Sequence, residues 1–420
     1  MHGPARTTVV TGLLAASALA LTGCGGGSGF DDGGGDGGGE GEATGGGLRV
    51  LIGSSGDAET DAVTQALAAW SEQSGTEATL SVASNLPQEL SQGFAGGDPP
   101  DVFYASPEGL PGWAANGSVV AYGSELPNAD DFYPSLVENF TIDDQFYCAP
   151  KDFSTLALVI NTAAWTEAGL TDADFPTDWA SLRDVAQRLT STDRVGLTFG
   201  PEYQRVGVFM EQAGGGLLDD DGATAIADSP ENVEALTFVK ELLADGVLAY
   251  PSQIDAGWGG EAFGLGKAAM TIEGNWIIGA LTNDFPDVQY RVIELPAGPA
   301  GQGTLQFTNC WGIAADSPNQ EAARDLVEFL TSTEQQVEFT KAFGVMPSVE
   351  SAAEQFSAEF PEQEAFIASA DFATGIPPLQ GFTDVVADFN GQIEALETGD
   401  PQQILAGVQT NLEAALGSAG

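Results

Sequence analysis

The chain is predicted to fold as an α/β protein, because strand and helix patterns alternate along its first folded stretch. Residues 48–52 (LRVLI) form a continuous apolar run of the length expected for a strand buried on both faces. From Val63 to Trp70 apolar residues recur at i, i+3, i+4 and i+7, which indicates one buried helix face. Strand, helix and strand patterns follow at 78–82, 87–94 and 101–105. This β-α-β-α-β order argues for a mostly parallel sheet that binds ligands at the carboxyl ends of its strands.

The same alternation returns in the second half of the chain. Residues 156–160 (LALVI) and 195–199 have the composition of buried strands. Ser229, followed by Pro230, predicts the start of a helix that runs to about Gly246. The run Ser-Pro-Asn-Gln from Ser317 predicts a second helix start with a capping box.

The N-terminus is predicted to be a secretory signal peptide over residues 1–23. It carries Arg6 and no acid before an apolar segment that is shorter than the roughly 20 residues of a membrane-spanning helix. The segment ends in Leu-Thr-Gly-Cys, which resembles a bacterial lipobox, so Cys24 is expected to carry lipid. Residues 24–47 are then a Gly-rich, acidic tether with nothing to bury. An ordinary cleaved signal would leave this tract unexplained.

Composition excludes several classes of function. With 61 acidic and 12 basic residues the net charge is −49, and such a surface repels nucleic acid. The single histidine, His2, lies in the signal peptide, so histidine-dependent nucleophilic catalysis and zinc sites that need imidazole are excluded. A carboxylate pair of the glycosidase type stays open. We expect no metal and no cofactor, and we interpret the acidic turn Asp219 to Gly222 as solvated, because the ligand pattern of an EF-hand is missing.

Two cysteines remain if Cys24 takes lipid. Cys148 and Cys310 form an even pair in an oxidising compartment, which favours a disulfide, although two buried free thiols would also fit.

Four stretches, taken together, resemble the extracellular solute-binding proteins of sugar ABC transporters, the class that includes maltose-binding protein. They are FAGGDPPDVFYAS (94–106), FYCAPKDFSTLALVINTAAW (146–165), AFGLGKAAMTIEGNWIIGAL (262–281) and NCWGIAADSPNQEAARDLVEFL (309–330), followed by FGVMPS (343–348). Their order and spacing extend over nearly the whole body of the chain.

The resemblance implies a two-lobed periplasmic-binding-protein-like fold of type II, with a ligand cleft between lobes of mostly parallel sheet. The expected N-terminal lobe comprises 48–151 and 309–346, and the C-terminal lobe comprises 152–308 and 347–420. A disulfide between Cys148 and Cys310 would brace the crossing strands and leave closure free. The implied role is a monomeric, lipid-anchored receptor on the extracellular face of the membrane, which binds a sugar or oligosaccharide and delivers it to ABC permease subunits without chemistry.

Candidate ligand-binding residues are aromatic, acidic or amide side chains on loops at predicted strand ends, because a sugar needs an aromatic face and hydrogen-bond partners. They are Asp57, Tyr104, Glu108, Asp152, Glu202, Tyr203, Trp258, Asn275, Trp276, Asn309, Trp311 and Phe382. Several of these rest on the resemblance: Trp276 matches a Gly-x-Trp motif, and Phe382 stands where relatives have a tryptophan.

Alternative interpretations stay open. Asp57 could instead cap the following helix. The fold could bind a polyamine or another small polar solute in place of a sugar, and an anchored carboxylate-dependent glycosidase is a further possibility.

Overall fold

The computed structural model describes residues 47–54, 56–219 and 222–419, and Gly45–Gly420 forms one compact unit. The predicted signal peptide, Cys24 and all of the tether except Gly47 lie outside the described residues. No helix within the described ranges is both long and apolar enough to cross a membrane.

Twelve strands are found in the described part of the chain. They are β1 (Leu48–Ile52), β2 (Ala78–Val82), β3 (Val102–Ala105), β4 (Thr141–Ile142), β5 (Gln145–Phe146), β6 (Ala149–Asn161), β7 (Val195–Thr198), β8 (Leu248–Ala249), β9 (Ala268–Gly274), β10 (Tyr290–Ile293), β11 (Thr304–Ile313) and β12 (Ala373–Thr374).

Sixteen α-helices accompany them in the same ranges. They are α1 (Asp57–Ser74), α2 (Leu86–Gly96), α3 (Leu110–Ala115), α4 (Pro134–Asn139), α5 (Thr162–Glu167), α6 (Trp179–Leu189), α7 (Tyr203–Ala213), α8 (Pro230–Ala244), α9 (Gly259–Gly264), α10 (Trp276–Asp284), α11 (Gln320–Leu330), α12 (Thr333–Phe343), α13 (Ala353–Glu359), α14 (Glu364–Ala368), α15 (Phe382–Ile393) and α16 (Pro401–Ala419).

The strands form two sets of parallel partners that are joined by two long antiparallel strands. The order is β2-β1-β3-β11-β6-β9-β7-β8, with β10 against β6 and β12 against β11. Pairing is parallel within β2-β1-β3 and within β9-β7-β8. The β11 and β6 strands run antiparallel to each other and to their neighbours β3 and β9. The parallel pairing predicted from sequence therefore holds inside each set, and the joining strands make the whole sheet mixed.

Strands β6 and β11 pass from one set to the other. The first part of β6 pairs with β11, from Ala149 opposite Trp311 to Thr155 opposite Gln306. Its second part pairs with β9 and β10. A third segment joins this crossing, because Met346 bridges Phe153 and the Ser348 hydroxyl donates to the Pro150 carbonyl at 2.8 Å. Cys148 and Cys310 form the disulfide that the sequence favoured, next to the crossing.

Two large hydrophobic cores lie on either side of the crossing strands. The first core packs β1, β3, α1 and α11 together, and it includes Trp70 and Trp311. The second packs β7, α6, α7, α8 and α15 together, and it includes Tyr203 and Phe382. A third and smaller cluster, around Phe153 and Phe366, covers the face of β6 that meets the third crossing segment.

Local sequence signals explain the bounds of several helices. Glu59, Val63, Ala66, Leu67 and Trp70 are the buried stripe of α1, which ends at Gly75 with the positive φ that glycine tolerates. Ser229 caps α8 by accepting a hydrogen bond from the Asn232 N–H, as predicted.

The predicted start of α11 is wrong by two residues. The helix begins at Gln320 and its cap position is Asn319, without a side-chain cap. The Ser317 hydroxyl instead donates to Asp101 at 2.5 Å and accepts from the Asn319 N–H at 3.1 Å. A long-range partner therefore holds the serine in the preceding turn.

Candidate functional site

The carboxyl ends of the parallel strands from both sets meet at the crossing. β3 ends at Ala105, which pairs with Cys310, and β9 ends at Gly274, which pairs with Leu156. Between these points Asp152 and Asn309 lie opposite each other on the two crossing strands. Loops at the carboxyl ends of parallel strands are the usual place for a ligand in α/β proteins, so this region is the candidate cleft.

A buried charge cluster forms the cleft floor on the side of the first core. The Lys151 ammonium lies 3.1 Å from Glu59 Oε1 and also contacts the Asp152 carboxylate. The exposed fractions of the three side chains are 9% for Lys151, 3% for Glu59 and 13% for Asp152. Tyr104 donates its hydroxyl to Glu59 at 2.9 Å, and its ring centroid lies 4.6 Å from the ammonium. Each buried charge therefore has a partner, as burial requires.

Burial and neighbouring charges shift the pKa values of Lys151 and Asp152 in opposite directions. Burial lowers the pKa of Lys151, but the carboxylates of Asp152 and Glu59 outweigh it and raise that pKa overall. Burial raises the pKa of Asp152, and Lys151 offsets this only in part. Burial, followed by the charge of Glu59, raises the pKa of Tyr104, so its hydroxyl stays a hydrogen-bond donor.

Trp311 lies behind this cluster. Its ring meets that of Tyr104 edge to face, with 4.7 Å between centroids, and its side chain is buried. The Trp311 indole N–H has no hydrogen-bond partner among the described residues. Trp311 therefore supports Tyr104 in this conformation and does not present a face to the cleft.

The opposite wall of the cleft carries a second group of charges around a tryptophan. Arg205 lies 2.7 Å from Glu273 and 3.6 Å from Glu202. The Trp276 indole N–H donates to Glu273 at 3.1 Å, and the Arg205 guanidinium lies 5.4 Å from the Trp276 ring centroid. Burial raises the pKa of Glu273, and Arg205 and Trp276 partly oppose that rise.

Trp276 is the most exposed aromatic side chain of the candidate cleft. It is 41% exposed, whereas Trp311 is 1% exposed. The Phe307 ring supports it in an edge-to-face arrangement at 5.6 Å. Phe307 pairs with Ser154, two positions along β11 from Asn309, so Trp276 lies beside the Asp152 and Asn309 pair. An indole face and several polar groups are thus brought together.

A cavity of about 390 Å³ adjoins this wall. Its lining includes Glu202, Arg205, Trp258, Glu273 and Glu394. Trp258 is half-buried in the turn before α9, and Glu202 is 48% exposed. The wall therefore continues from Trp276 into a pocket with a second indole and further carboxylates.

Several of the predicted residues are placed elsewhere or used internally. Tyr203 and Phe382 are buried in the second core, with 6.1 Å between their ring centroids. Asn275 is buried, and its side-chain amide donates to the Gly344 carbonyl at 2.7 Å. Glu108 is half-buried in the turn after β3.

Asp57 is exposed as the first residue of α1. The helix cap position is Gly56 and no side chain caps it, so the alternative role of Asp57 as helix cap is wrong. The structure brings Tyr104, Asp152, Asn309, Trp311 and Trp276 together at the crossing.

The sequence interpretation missed four members of the two charge groups, Glu59, Lys151, Arg205 and Glu273. Glu59 had a signal, because it continues the apolar stripe of α1 and a carboxylate in a buried stripe requires a partner. Lys151 and Arg205 are two of only 12 basic residues, and both stand next to or near predicted acidic site residues.

Comparison with known proteins agrees with this geometry. The sequence profile of the bacterial extracellular solute-binding proteins matches residues 55–368, which is most of the chain. The chain belongs to this family. A putative binding protein of Brucella abortus is 25% identical over 307 residues, covering 68% of this chain and 73% of the relative. The diacetylchitobiose binding protein DasA of Streptomyces coelicolor is 26% identical over 283 residues, covering 64% of each chain.

Solved structures confirm the predicted two-lobed fold for this solute-binding protein. The GacH receptor of Streptomyces glaucescens superposes with a TM-score of 0.77 at 22% identity, covering 88% of this chain and 98% of the receptor. The sugar-binding protein MalE from Xanthomonas citri gives a TM-score of 0.79 at 18% identity, covering 88% and 97% of the two chains. The family and these structural neighbours are binding proteins.

Proposed function

We propose that this solute-binding protein is a membrane-anchored extracellular receptor, which captures a sugar or oligosaccharide and delivers it to an ABC importer without chemistry. The observation that carries the proposal is Trp276, an indole held half-exposed beside Asp152, Asn309 and Glu273 at the crossing of the lobes. An aromatic face suits the C–H side of a sugar ring, and carboxylates and amides suit its hydroxyls.

The charges of the cleft support a neutral ligand. Lys151 and Arg205 are the two cations of the charge groups, and each is already held by two carboxylates. Neither is left to neutralise a phosphate, a sulfate or an acidic sugar, and the net charge of −49 repels anions further. The same pairing disfavours a glycosidase, since Lys151 holds both carboxylates of the floor and leaves neither as a free acid or nucleophile.

The names of similar proteins agree with a saccharide. One relative is named for diacetylchitobiose, and the GacH receptor has been crystallised with acarbose. Within this chain we assign ligand contact to Asp152, Glu202, Trp258, Trp276 and Asn309, and a supporting role to Tyr104 and Trp311.

Anchoring and transport complete the proposal. Lipid on Cys24 and the Gly-rich tether would hold a monomeric receptor close to the permease subunits on the extracellular face of the membrane. A flexible tether raises the local concentration of a binding partner, so delivery would not depend on free diffusion.

The test is a thermal-shift screen of the body Gly45–Gly420 against monosaccharides and oligosaccharides. A ligand at 100 times its dissociation constant stabilises the folded state by about 2.7 kcal/mol. Trp276→Ala should abolish the shift, whereas Leu265→Ala, which removes an exposed side chain outside the charge groups and the adjoining cavity, should leave it unchanged.

Other outcomes would replace the proposal. A shift with spermidine and none with any saccharide would make the protein a polyamine receptor. The appearance of new reducing ends during incubation with oligosaccharides would show that it is an enzyme.

A further inference from the structure

A second cavity, of about 580 Å³, lies at the junction of the two large cores, and none of the cleft residues assigned above lines it. Part of its lining comes from α4 and β4, where Ile142 packs against the first core. The rest comes from α7 and from residues 373–379, where Tyr203 and Ile376 belong to the second core. We call it the junction cavity.

One buried polar group that lines this cavity has no protein partner in the described part of the chain. Asn139 is 5% exposed, and its side-chain Nδ2 has no hydrogen-bond partner. Tyr203, which is 2% exposed, also lines the cavity. Buried donors are nearly always satisfied in native proteins, so an occupant is expected to supply the missing partner of Asn139.

Gly375 fixes the position of the Asn139 amide. A Cβ at residue 375 would lie 1.6 Å from Asn139 Oδ1, so only glycine leaves room for this side chain against the cavity wall. The amide is therefore held in place at the cavity and cannot easily turn toward another partner.

The charge of the lining selects the kind of occupant. Glu138, Glu211 and Asp219 line the cavity, and no lysine or arginine is found among its described lining residues. Burial raises the pKa of Tyr203, and the nearby Glu211 adds to the rise, so the phenol stays neutral. An anion would be repelled by this lining, whereas a positive group gains from its carboxylates.

We propose that the junction cavity is a second binding site, which takes a small hydroxylated organic cation such as a protonated amino sugar or amino alcohol. A hydroxyl oxygen of the ligand accepts from the Asn139 Nδ2–H, another polar group bonds the Tyr203 hydroxyl, and the ammonium lies near Glu138 and Glu211. The cavity volume is within the range of small-molecule sites and far exceeds that of one water molecule.

The position of the site implies coupling to the cleft. Its walls belong to both cores, so the affinity of the junction cavity for a ligand changes when the lobes change their relative orientation. Any such ligand changes the affinity of the cleft for its own ligand, and the reverse effect has the same size.

The experiment is calorimetric titration of Gly45–Gly420 with glucosamine, glucose and glucuronate as cationic, neutral and anionic probes of one ring size. It is done in the Trp276→Ala background, which removes the proposed cleft contact and leaves the junction cavity intact. We expect saturable binding of glucosamine, weaker binding of glucose and none of glucuronate.

Variants then locate the site. Tyr203→Phe removes one hydroxyl without a change in core volume and should weaken glucosamine binding about 2- to 10-fold. Glu138→Gln, on an exposed residue, should weaken it by up to about 5-fold, whereas the exposed control Glu354→Gln should have no effect.

Three results would overturn the inference. They are the absence of saturable glucosamine binding, a glucosamine affinity that neither variant changes, and a structure determined with glucosamine in which the cavity holds only water. Failure of this experiment leaves the proposed function intact. That function is tested separately, by the thermal shift with neutral saccharides and by the loss of that shift in Trp276→Ala.

Discussion

The buried charge cluster at the cleft floor predicts that Lys151 is essential for stability at neutral pH. Lys151→Met keeps the length and the apolar stem of the side chain but removes the ammonium that holds Glu59 and Asp152. Both carboxylates are largely buried, so they would lose their counter-charge in a site of low polarity, although Glu59 keeps the hydrogen bond from the Tyr104 hydroxyl. Removing one partner of a buried ion pair costs about 3 to 5 kcal/mol.

Lys341 provides a matched control. Its ammonium also contacts two carboxylates, Glu338 at 3.1 Å and Glu359 at 3.6 Å, but its side chain is 40% exposed. Solvent screens such a pair, and the expected loss for Lys341→Met is below about 1 kcal/mol. The comparison therefore isolates burial as the cause.

The assay is denaturant unfolding of both variants at pH 7 and again near pH 4.5. Burial already raises the pKa of Asp152, and without Lys151 that pKa rises further, so the folded state binds this proton more tightly than the unfolded state. The stability deficit of Lys151→Met should then shrink as the pH falls through the raised pKa of Asp152. Equal losses for the two lysine variants at pH 7, or a deficit that does not change with pH, would refute the reasoning.

Three further predictions concern the fold. Replacing Cys148 and Cys310 together by alanine should lower the unfolding free energy by about 4 to 5 kcal/mol, because the disulfide closes a loop with a sequence separation of 162; a loss below about 1 kcal/mol in guanidinium unfolding would contradict this. Burial raises the pKa of Tyr133 to about 12. The tyrosine of the unfolded state ionises first, from a pH of about 10, so the stability of the folded state should fall as the pH rises above that value. Tyr133→Phe should make this decline smaller in thermal melts. Gly375→Ala should cost about 1 to 3 kcal/mol through its clash with Asn139, whereas Gly279→Ala, in a helix with free space at its Cβ, should be neutral or stabilising.

Periodicity in the sequence predicted the elements of the fold well. The α1 stripe from Val63 to Trp70 and the strand at 156–160 are buried as expected, since their burial follows directly from local apolar patterns. The strand at 48–52 forms as predicted, but the expected burial of both faces is wrong, because Arg49 is exposed and only the face of Leu48, Val50 and Ile52 is buried. Ser317 shows the limit of such signals. Its sequence context suits a helix cap, but its hydroxyl bonds Asp101, far away in the chain.

The sequence predicted the placement of only some candidate residues at the crossing, and their contact with a ligand stays a prediction. Trp276 follows a strand end and is exposed as an aromatic ligand contact requires. Tyr203 and Phe382 were predicted by resemblance, but each begins a helix and turns its ring into the second core. The direction of a side chain at a helix start depends on how that helix packs against its neighbours. A short sequence motif does not carry this information.

The ion pairs could not be read from spacing at all. Glu59 and Lys151 are 92 positions apart, and Arg205 and Glu273 are 68 apart. Each pair joins the first turn of a helix to a distant strand, α1 to β6 and α7 to β9, so tertiary structure creates the charge pattern of the cleft.

The pairing of β11 with β3 also has a consequence for how the protein is made. The sheet of the first lobe needs a strand that is synthesised long after the other three, so it cannot be completed while the nascent chain is short. Until residue 313 has emerged, the edge of β3 offers unpaired backbone groups to any neighbour. Maturation should therefore be slow and sensitive to chaperones, and truncated products should aggregate instead of yielding half a receptor.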